Sequence, residues 1–123
     1  MSGKILIVDD SRTIRQQVGT ALIRAGYQIV EAEDGLEGLT ALAAQSDLVM
    51  VICDINMPNM NGIEMLTAIK ADEKTAGLPV VMLTTEGKAE LIQRAKRIGA
   101  KGWMVKPFKP EQLIAVVRKI VGH

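Results

Sequence analysis

Cysteine, histidine and aromatic residues are scarce in this chain of 123 residues. Its single cysteine, Cys53, excludes a disulfide framework and a cysteine-based zinc site. Because Cys53 closes an apolar run, we expect it to be a small buried hydrophobe. The only histidine, His123, is the last residue, and we expect it to belong to a tail rather than to a metal site.

Long apolar runs are missing as well. No stretch approaches the ~18 uninterrupted apolar residues of a membrane-spanning helix, and no basic-then-apolar signal peptide begins the chain. We therefore expect a cytoplasmic protein that makes no contact with a membrane. The composition, 48% hydrophobic and 24% charged, is that of a globular protein. The length predicts one domain, residues 1–123, with a substantial core.

Charge is distributed unevenly, although the net charge is only +1. Residues 1–87 carry 6 basic and 12 acidic groups, whereas residues 88–123 carry 9 basic and 2 acidic groups. Two interpretations are open: solvated lysines and arginines on helix surfaces, or a basic face that binds an acidic partner. A nucleic-acid partner is not expected, because aromatic residues do not interleave with the basic ones and no recognition-helix pattern occurs.

Four short, β-branched apolar runs are the most informative feature that the sequence does contain. Each run is about as long as a buried strand and is followed by a helical pattern; the runs are residues 4–8, 48–53, 80–83 and 102–105. Polar residues stand directly after the runs: Asp9 and Asp10, Asp54, Thr84 and Lys106. Because parallel strands end at one edge of a sheet, where ligands bind, we expect these side chains to meet in one crevice.

Strand and helix patterns alternate five times, with the more amphipathic residues 28–32 as a candidate edge strand. This alternation predicts a single-domain, doubly wound α/β fold with five strands and five helices. We expect a parallel sheet of strand order 2-1-3-4-5 with helices on both faces. In that order strands one and three are neighbours at the switch point, which places Asp10 beside Asp54.

The predicted helices have recognisable starts. The first follows the N-cap Ser11 and stops at Gly26, and the third begins at Asn61 with Glu64 as its capping-box partner. The second follows residues 34–35, the fourth runs from about Lys88 to Ile98, and the fifth begins at Pro110. The second helix is expected to turn four residues inward: Leu36, Leu39, Leu42 and Ala43.

Clustered carboxylates repel one another, and a hard divalent cation with oxygen ligands, such as Mg²⁺, removes that repulsion. Asp54 precedes a long loop, residues 55–62, which leaves its carboxylate free to act as a nucleophile. Lys106 and Thr84 would offer an ammonium and a hydroxyl to phosphoryl oxygens. Taken singly, such residues also fit a helix cap, a solvated lysine and an ordinary strand threonine. Their shared edge favours a site.

As a set, these residues resemble the receiver domains of two-component response regulators, especially the stand-alone chemotaxis regulators of the CheY type. The resemblance covers essentially all 123 residues. It matches the family's acidic pair, phospho-acceptor, switch hydroxyl and lysine to Asp9, Asp10, Asp54, Thr84 and Lys106. Residues 106–108 match the family's Lys-Pro-Phe, in which the Lys-Pro bond is typically cis. The implied fold is the flavodoxin-like fold of this family.

The resemblance implies a signalling protein rather than an enzyme that acts on other substrates. Asp54 would take a phosphoryl group from a histidine kinase and later lose it by hydrolysis. Mg²⁺ would be bound by three groups directly and by one through water: Asp10, Asp54, the backbone carbonyl of Asn56 and, through water, Asp9. Asn56 and Glu86 match positions that flank the path of water to the acyl phosphate, although both also fit ordinary loop polar residues.

The resemblance also implies an output face made of helix four, strand five and helix five. The aromatic switch position, usually Tyr or Phe, is Trp103 here, and Thr84 is its expected partner; a core tryptophan without a switching role is the other interpretation. These elements carry six basic residues: Arg94, Lys96, Arg97, Lys101, Arg118 and Lys119. The implied partners are a CheA-like histidine kinase and an acidic target, such as a flagellar motor switch protein, with the chain itself monomeric.

Other functions stay open. Within the same family, the chain also fits a single-domain phosphorelay shuttle or a phosphate sink. A phosphohydrolase with an aspartyl nucleophile would need a second carboxylic acid near Asp54, where Asn56 stands. A flavin-binding protein of this architecture would need a Gly, Ser and Thr phosphate cradle after strand one, where Asp9 and Asp10 stand.

Overall fold

The structure, a computed structural model, describes residues 3–85 and 89–122. The expectations for Glu86, Lys88 and His123 therefore lie outside the described residues. Within the described ranges, no helix combines the length and the apolar character that crossing a lipid bilayer requires.

Five strands and five helices alternate in the described chain. The strands are β1 (Lys4–Val8), β2 (Gln28–Ala32), β3 (Leu48–Asp54), β4 (Val80–Thr84) and β5 (Gly102–Val105). The helices are α1 (Arg12–Arg24), α2 (Gly35–Ala44), α3 (Gly62–Ala71), α4 (Ala89–Ile98) and α5 (Pro110–Val121). All strand pairs are parallel, in the order β2-β1-β3-β4-β5. The predicted doubly wound fold and the edge position of β2 are confirmed.

Two apolar clusters fill the space between the sheet and its helices. Along β1, Leu6 and Val8 face the cluster shared with α2, α3 and α4, whereas Ile5 and Ile7 face the cluster shared with α1 and α5. All four side chains are fully buried, because helices cover both faces of the sheet. Burial of each such side chain contributes about 1.5–3 kcal/mol. The sheet is therefore a rigid platform for groups at its strand ends.

Helix ends follow the predicted signals. The Ser11 hydroxyl oxygen accepts a hydrogen bond from the Ile14 amide at 3.2 Å, and Gly26, just beyond α1, has φ 99°. The capping box of α3 is complete: the Glu64 amide donates to Asn61 Oδ1 at 2.9 Å, and the Asn61 amide donates to Glu64 Oε1 at 3.0 Å. These caps fix where α1 and α3 begin, close to the ends of β1 and β3.

The predicted inward face of α2 is partly wrong. Leu36 is 52% exposed and Ala43 is also exposed, whereas Gly38 and Leu42 are buried. The reason is a close approach: a Cβ on Gly38 would lie 2.7 Å from Met65 Cε, so α2 meets α3 through a glycine rather than a leucine. The spacing of the leucines could not predict this contact, because the residues of α3 determine which face of α2 packs closely.

Gly62, the first residue of α3, packs directly against the end of β3. A Cβ at this position would overlap the carbonyl oxygen of Asp54 and would lie 2.8 Å from the Cα of Ile55. Both neighbours are main-chain atoms, so they cannot turn aside as a flexible side chain can. The start of α3 is thereby held against the strand that presents Asp54.

We predict that Gly62→Ala lowers the free energy of unfolding by about 1–3 kcal/mol, the usual range for overpacking. The matched control is Gly77→Ala, since a Cβ there meets no atom within 4 Å. Urea denaturation followed by far-UV circular dichroism measures both. Equal stability of Gly62→Ala and the unsubstituted protein would show that α3 can move away from β3 without cost.

Candidate functional site

The polar residues that follow the strands meet at one edge of the sheet. Asp9 comes directly after β1, Asp54 ends β3, Thr84 ends β4 and Lys106 comes directly after β5. Neighbouring strands are paired in parallel up to these positions, so their functional groups share the carboxyl edge.

Three carboxylates come together at the switch point between β1 and β3. One oxygen from each of Asp9, Asp10 and Asp54 lies within 4.8 Å of the other two. Asp9 and Asp54 are buried, whereas Asp10 is exposed. Oxygen ligands at this spacing suit a hard cation such as Mg²⁺, which proteins bind through one or two carboxylates and water. The expected closeness of Asp10 and Asp54 is therefore present in the structure.

Lys106 places a positive charge between the two buried carboxylates. Its Nζ donates a hydrogen bond to Asp9 Oδ2 at 2.8 Å and lies 3.3 Å from Asp54 Oδ1. The side chain of Lys106 is only 11% exposed, so water screens these ion pairs weakly. The contact with Asp9 joins residues 97 positions apart. The Lys106–Pro107 peptide bond is cis, as the family resemblance implied.

Burial is the main cause that raises the pKa of the Asp54 carboxyl above its ordinary value. The negative charges of Asp9 and, more weakly, Asp10 raise this pKa further, while the Lys106 ammonium opposes them. An ionised Asp54 in the folded protein is thus less stable than an ionised aspartate in water. Any positive charge that arrives at this edge gains free energy from relieving that repulsion.

Asp9 is hydrogen-bonded through its main chain and through both of its carboxylate oxygens. Its amide donates to the Ala32 carbonyl at 3.1 Å, and its own carbonyl accepts a bond from Arg15 Nη1 at 2.6 Å. Oδ1 accepts from the Ser11 amide at 2.9 Å, and Oδ2 accepts from Lys106. Asp9 therefore orders the turn before α1, while Ser11 is the helix cap. Arg15 was not singled out from the sequence; its only signal is a cation near a helix N-terminus, where the dipole disfavours it.

The loop after β3 is attached to the start of α2. Asn59 adopts a positive φ of 65°, and its Nδ2 donates to Asp34 Oδ2 at 2.7 Å. Asp34 Oδ1 also accepts from the Glu37 amide at 2.8 Å, which caps α2. The Glu37 amide and then the Asn59 side chain lower the pKa of Asp34. Gly35 completes the attachment by donating its amide proton to the Met60 carbonyl at 3.1 Å. The contacts of Asn59 with Asp34 and of Gly35 with Met60 follow from no sequence pattern, because the partners lie in separate segments of the chain.

Trp103 lies in β5, away from the carboxylate edge, where it is half-buried against the cluster on the α4 side. Trp103 pairs with Met82, and Thr84 lies two residues further along β4, so Thr84 and Trp103 face the same side of the sheet. Thr84 is buried. Lys96 Nζ lies 4.4 Å from the centroid of the Trp103 ring, a cation–π contact that the sequence did not suggest.

An open groove of about 1370 Å³ begins at the carboxylates and continues between α1 and α5. Asn56 and Lys106 line it beside Asp54, and Arg24 and Arg118 line it along the two helices. The groove gives a reacting group access to Asp54. Arg118 therefore contributes its charge to the α1–α5 side, although the sequence grouped it with the basic face of α4, β5 and α5.

The chain matches the response regulator receiver domain family over residues 5–118. It is 40% identical over 121 residues to the chemotaxis protein CheY1 of Helicobacter pylori, covering 97% of both chains. Identity to the CheY homologue of Campylobacter jejuni is also 40%, covering 97% of this chain and 92% of the relative. The solved structure of Vibrio cholerae chemotaxis protein CheY4 superposes with a TM-score of 0.92 at 40% identity, covering 98% of this chain and 99% of that one.

These similarities run through every strand that contributes to the carboxylate edge, and the sheet order agrees with the flavodoxin-like fold implied by the resemblance. The chain belongs to the response regulator receiver domains of two-component signalling systems, among the relatives of the chemotaxis regulator CheY.

Proposed function

We propose that this receiver domain is a phosphorylation-activated switch in which Asp54 accepts a phosphoryl group from a histidine kinase, with Mg²⁺ bound beside it. The observation that carries the proposal is the environment of Asp54. Its carboxylate ends β3, lies beside Asp9 and the Lys106 ammonium, and opens to a groove wide enough for a donor group.

The residues at this edge fit Mg²⁺, since they offer oxygen atoms and uncompensated negative charge. The proposed ligands are the carboxylates of Asp10 and Asp54 and the main-chain carbonyl of Asn56, with Asp9 acting through water. When bound, Mg²⁺ would offset negative charge on the phosphoryl group.

In the proposed transfer, an Asp54 carboxylate oxygen bonds to phosphorus as the bond from phosphorus to the donor's histidine nitrogen breaks. The electron pair of that bond stays with the leaving imidazole. Lys106 and Thr84 are the side chains we assign to the phosphoryl oxygens, as an ammonium and a hydroxyl donor. Hydrolysis then bonds a water oxygen to phosphorus and returns the carboxylate, with Asn56 and Glu86 tuning the rate. The chain is thus a signalling protein that acts only on its own phosphate.

Phosphorylation would switch the protein through local charge. The single negative charge of Asp54 becomes about −2, with strong acceptor oxygens. Thr84 is proposed to move toward them, and the space it leaves is open to Trp103, which faces the same side of the sheet. Two alternative packings of these side chains would make a two-state element that remodels the face of α4, β5 and α5.

We assign the output to an acidic protein partner. The basic residues Arg94, Lys96, Arg97 and Lys101, which lie in or next to α4, are all exposed. Relatives at 40% identity are named as chemotaxis proteins, which supports a chemotaxis-type histidine kinase as donor and a flagellar motor switch protein as target. We propose a cytoplasmic monomer with no nucleic-acid partner.

Acetyl phosphate with Mg²⁺ should add one phosphoryl group to the protein, detected as an intact-mass increase. Asp54→Asn should abolish the adduct, because the amide is not a nucleophile of this kind. Asp47→Asn is the matched control, since Asp47 is exposed and pairs with Lys4 away from the site. An adduct that persists in Asp54→Asn would assign the acceptor to another residue.

Asp54→Asn should also raise thermal stability in the presence of a chelator at pH 7. Because the folded-state pKa of Asp54 is raised, its destabilising contribution is absent at low pH and develops as pH rises through that pKa. The neutral amide removes the contribution. We therefore expect a higher Tm for Asp54→Asn than for the unsubstituted protein under these conditions.

The stability difference should shrink on acidification, as Asp54 becomes protonated in the unsubstituted protein. Added Mg²⁺ should raise the Tm of the unsubstituted protein more than that of Asp54→Asn. Scanning calorimetry measures both effects. A lower Tm for Asp54→Asn in chelator at pH 7 would mean that its ion pair with Lys106 outweighs the cost of burial.

Thr84→Ala should be phosphorylated but should lose the change in Trp103 fluorescence that activation produces. Thr84→Ser is the matched variant, because it keeps the hydroxyl donor and should keep at least half of the change. Steady-state emission of the single tryptophan, with and without beryllofluoride and Mg²⁺, makes the comparison. An unaltered fluorescence change in Thr84→Ala would show that Trp103 responds to activation independently of Thr84.

A further inference from the structure

Arg15 is a buried arginine that lies between Asp9 and the edge strand β2. Its side chain is 10% exposed. Nη1 donates to the Asp9 carbonyl oxygen at 2.6 Å, Nε donates to Glu31 Oε1 at 3.1 Å, and Nη2 lies 3.9 Å from Glu33 Oε1. The proposed phosphoryl transfer does not use Arg15 directly.

Interactions within α1 alone do not favour an arginine at position 15. It is the fourth residue of α1, whose first turn contains no acidic residue, so a cation lies close to the positive end of the helix dipole. Burying a guanidinium also costs free energy unless its donors are paired. Glu31 supplies the pairing charge from β2. The arginine is therefore held in place by tertiary contacts rather than by helix preference.

The contact with Asp9 fixes a particular peptide group. The carbonyl oxygen that Arg15 holds belongs to the peptide that joins Asp9 to Asp10, so its orientation sets the direction in which the Asp10 side chain leaves the main chain. Within residues 3–85 and 89–122, no hydrogen bond holds the Asp10 carboxylate itself, and Asp10 is exposed. The peptide that Arg15 holds is thus the one that leads directly to Asp10, whose carboxylate lies near that of Asp54.

We propose that Arg15 is a positioning residue for the cation site: it orients the peptide between the two aspartates and so holds Asp10 within reach of a cation shared with Asp54. This inference rests on the proposed function, since the cation is Mg²⁺. Groups that hydrogen-bond to the metal ligands, without touching the metal, typically contribute 10–100-fold to metal affinity. A loss of about tenfold in Mg²⁺ affinity is expected when the Arg15 contact is removed.

The test is isothermal titration of Mg²⁺ into the full chain and its variants. Arg15→Met removes the guanidinium group and its charge. Arg15→Lys keeps the charge but loses the planar guanidinium that bonds Asp9 and Glu31 together. Glu31→Gln keeps the arginine and its contact with the Asp9 carbonyl. Val18→Ala, on the same helix and fully buried, destabilises the fold without touching the site.

Mg²⁺ affinity should fall about tenfold in Arg15→Met, less in Arg15→Lys, and little in Glu31→Gln or Val18→Ala. Unchanged affinity in both Arg15 variants would overturn the inference and leave the proposed function standing. An equal loss in Val18→Ala would also overturn it, because lower stability alone would then explain the effect. Absence of Mg²⁺ binding by the unsubstituted protein would contradict the proposed function, and the inference with it.

Discussion

The Lys106 ammonium, shared between the buried carboxylates of Asp9 and Asp54, is the interaction on which the site depends. Two desolvated carboxylates at one switch point repel each other, so a cation must lie close to both of them. Lys106 satisfies one carboxylate with a short hydrogen bond and stands further from the other. Asp54 stays buried beside this ammonium, yet burial first and the negative charge of Asp9 second raise the pKa of its carboxyl above the ordinary value. A divalent cation at this edge would offset the negative charge of the three carboxylates.

Around this pair, rigidity is distributed unequally. Hydrogen bonds fix both the main chain and the side chain of Asp9. Gly62 packs tightly against the main chain of Asp54. Asp10 is exposed and is placed only by the chain that leads to it. The two buried carboxylates are therefore held in place by their contacts, and Asp10 is the exposed member of the three.

The sequence predicted the features that follow from local rules. The apolar runs identified the strands, and the residues after them identified the edge where Asp54 and Lys106 meet. Ser11 and the Asn61–Glu64 box marked helix starts correctly, because capping needs only neighbours in the chain.

Features that depend on a distant partner escaped prediction. Leu36 was expected inside and is exposed, because Gly38 makes the close contact of α2 with Met65 in α3. The bond of Arg15 to the Asp9 carbonyl and the place of Lys96 over Trp103 depend on how far a long side chain reaches, which periodicity does not describe. Spacing along the chain determines which residues share a face of a helix, whereas the fold determines which face is turned inward and what it contacts.

The 97-residue separation of Lys106 from Asp9 also bears on how the domain folds. The carboxylates belong to β1 and β3, in the middle of the sheet, while their counter-charge arrives only with the last strand. A partial structure that contains the central strands but lacks β5 would bury acidic groups without a partner, at a cost in free energy. The charges of the candidate site therefore disfavour incomplete forms of the sheet and make folding more nearly all-or-none.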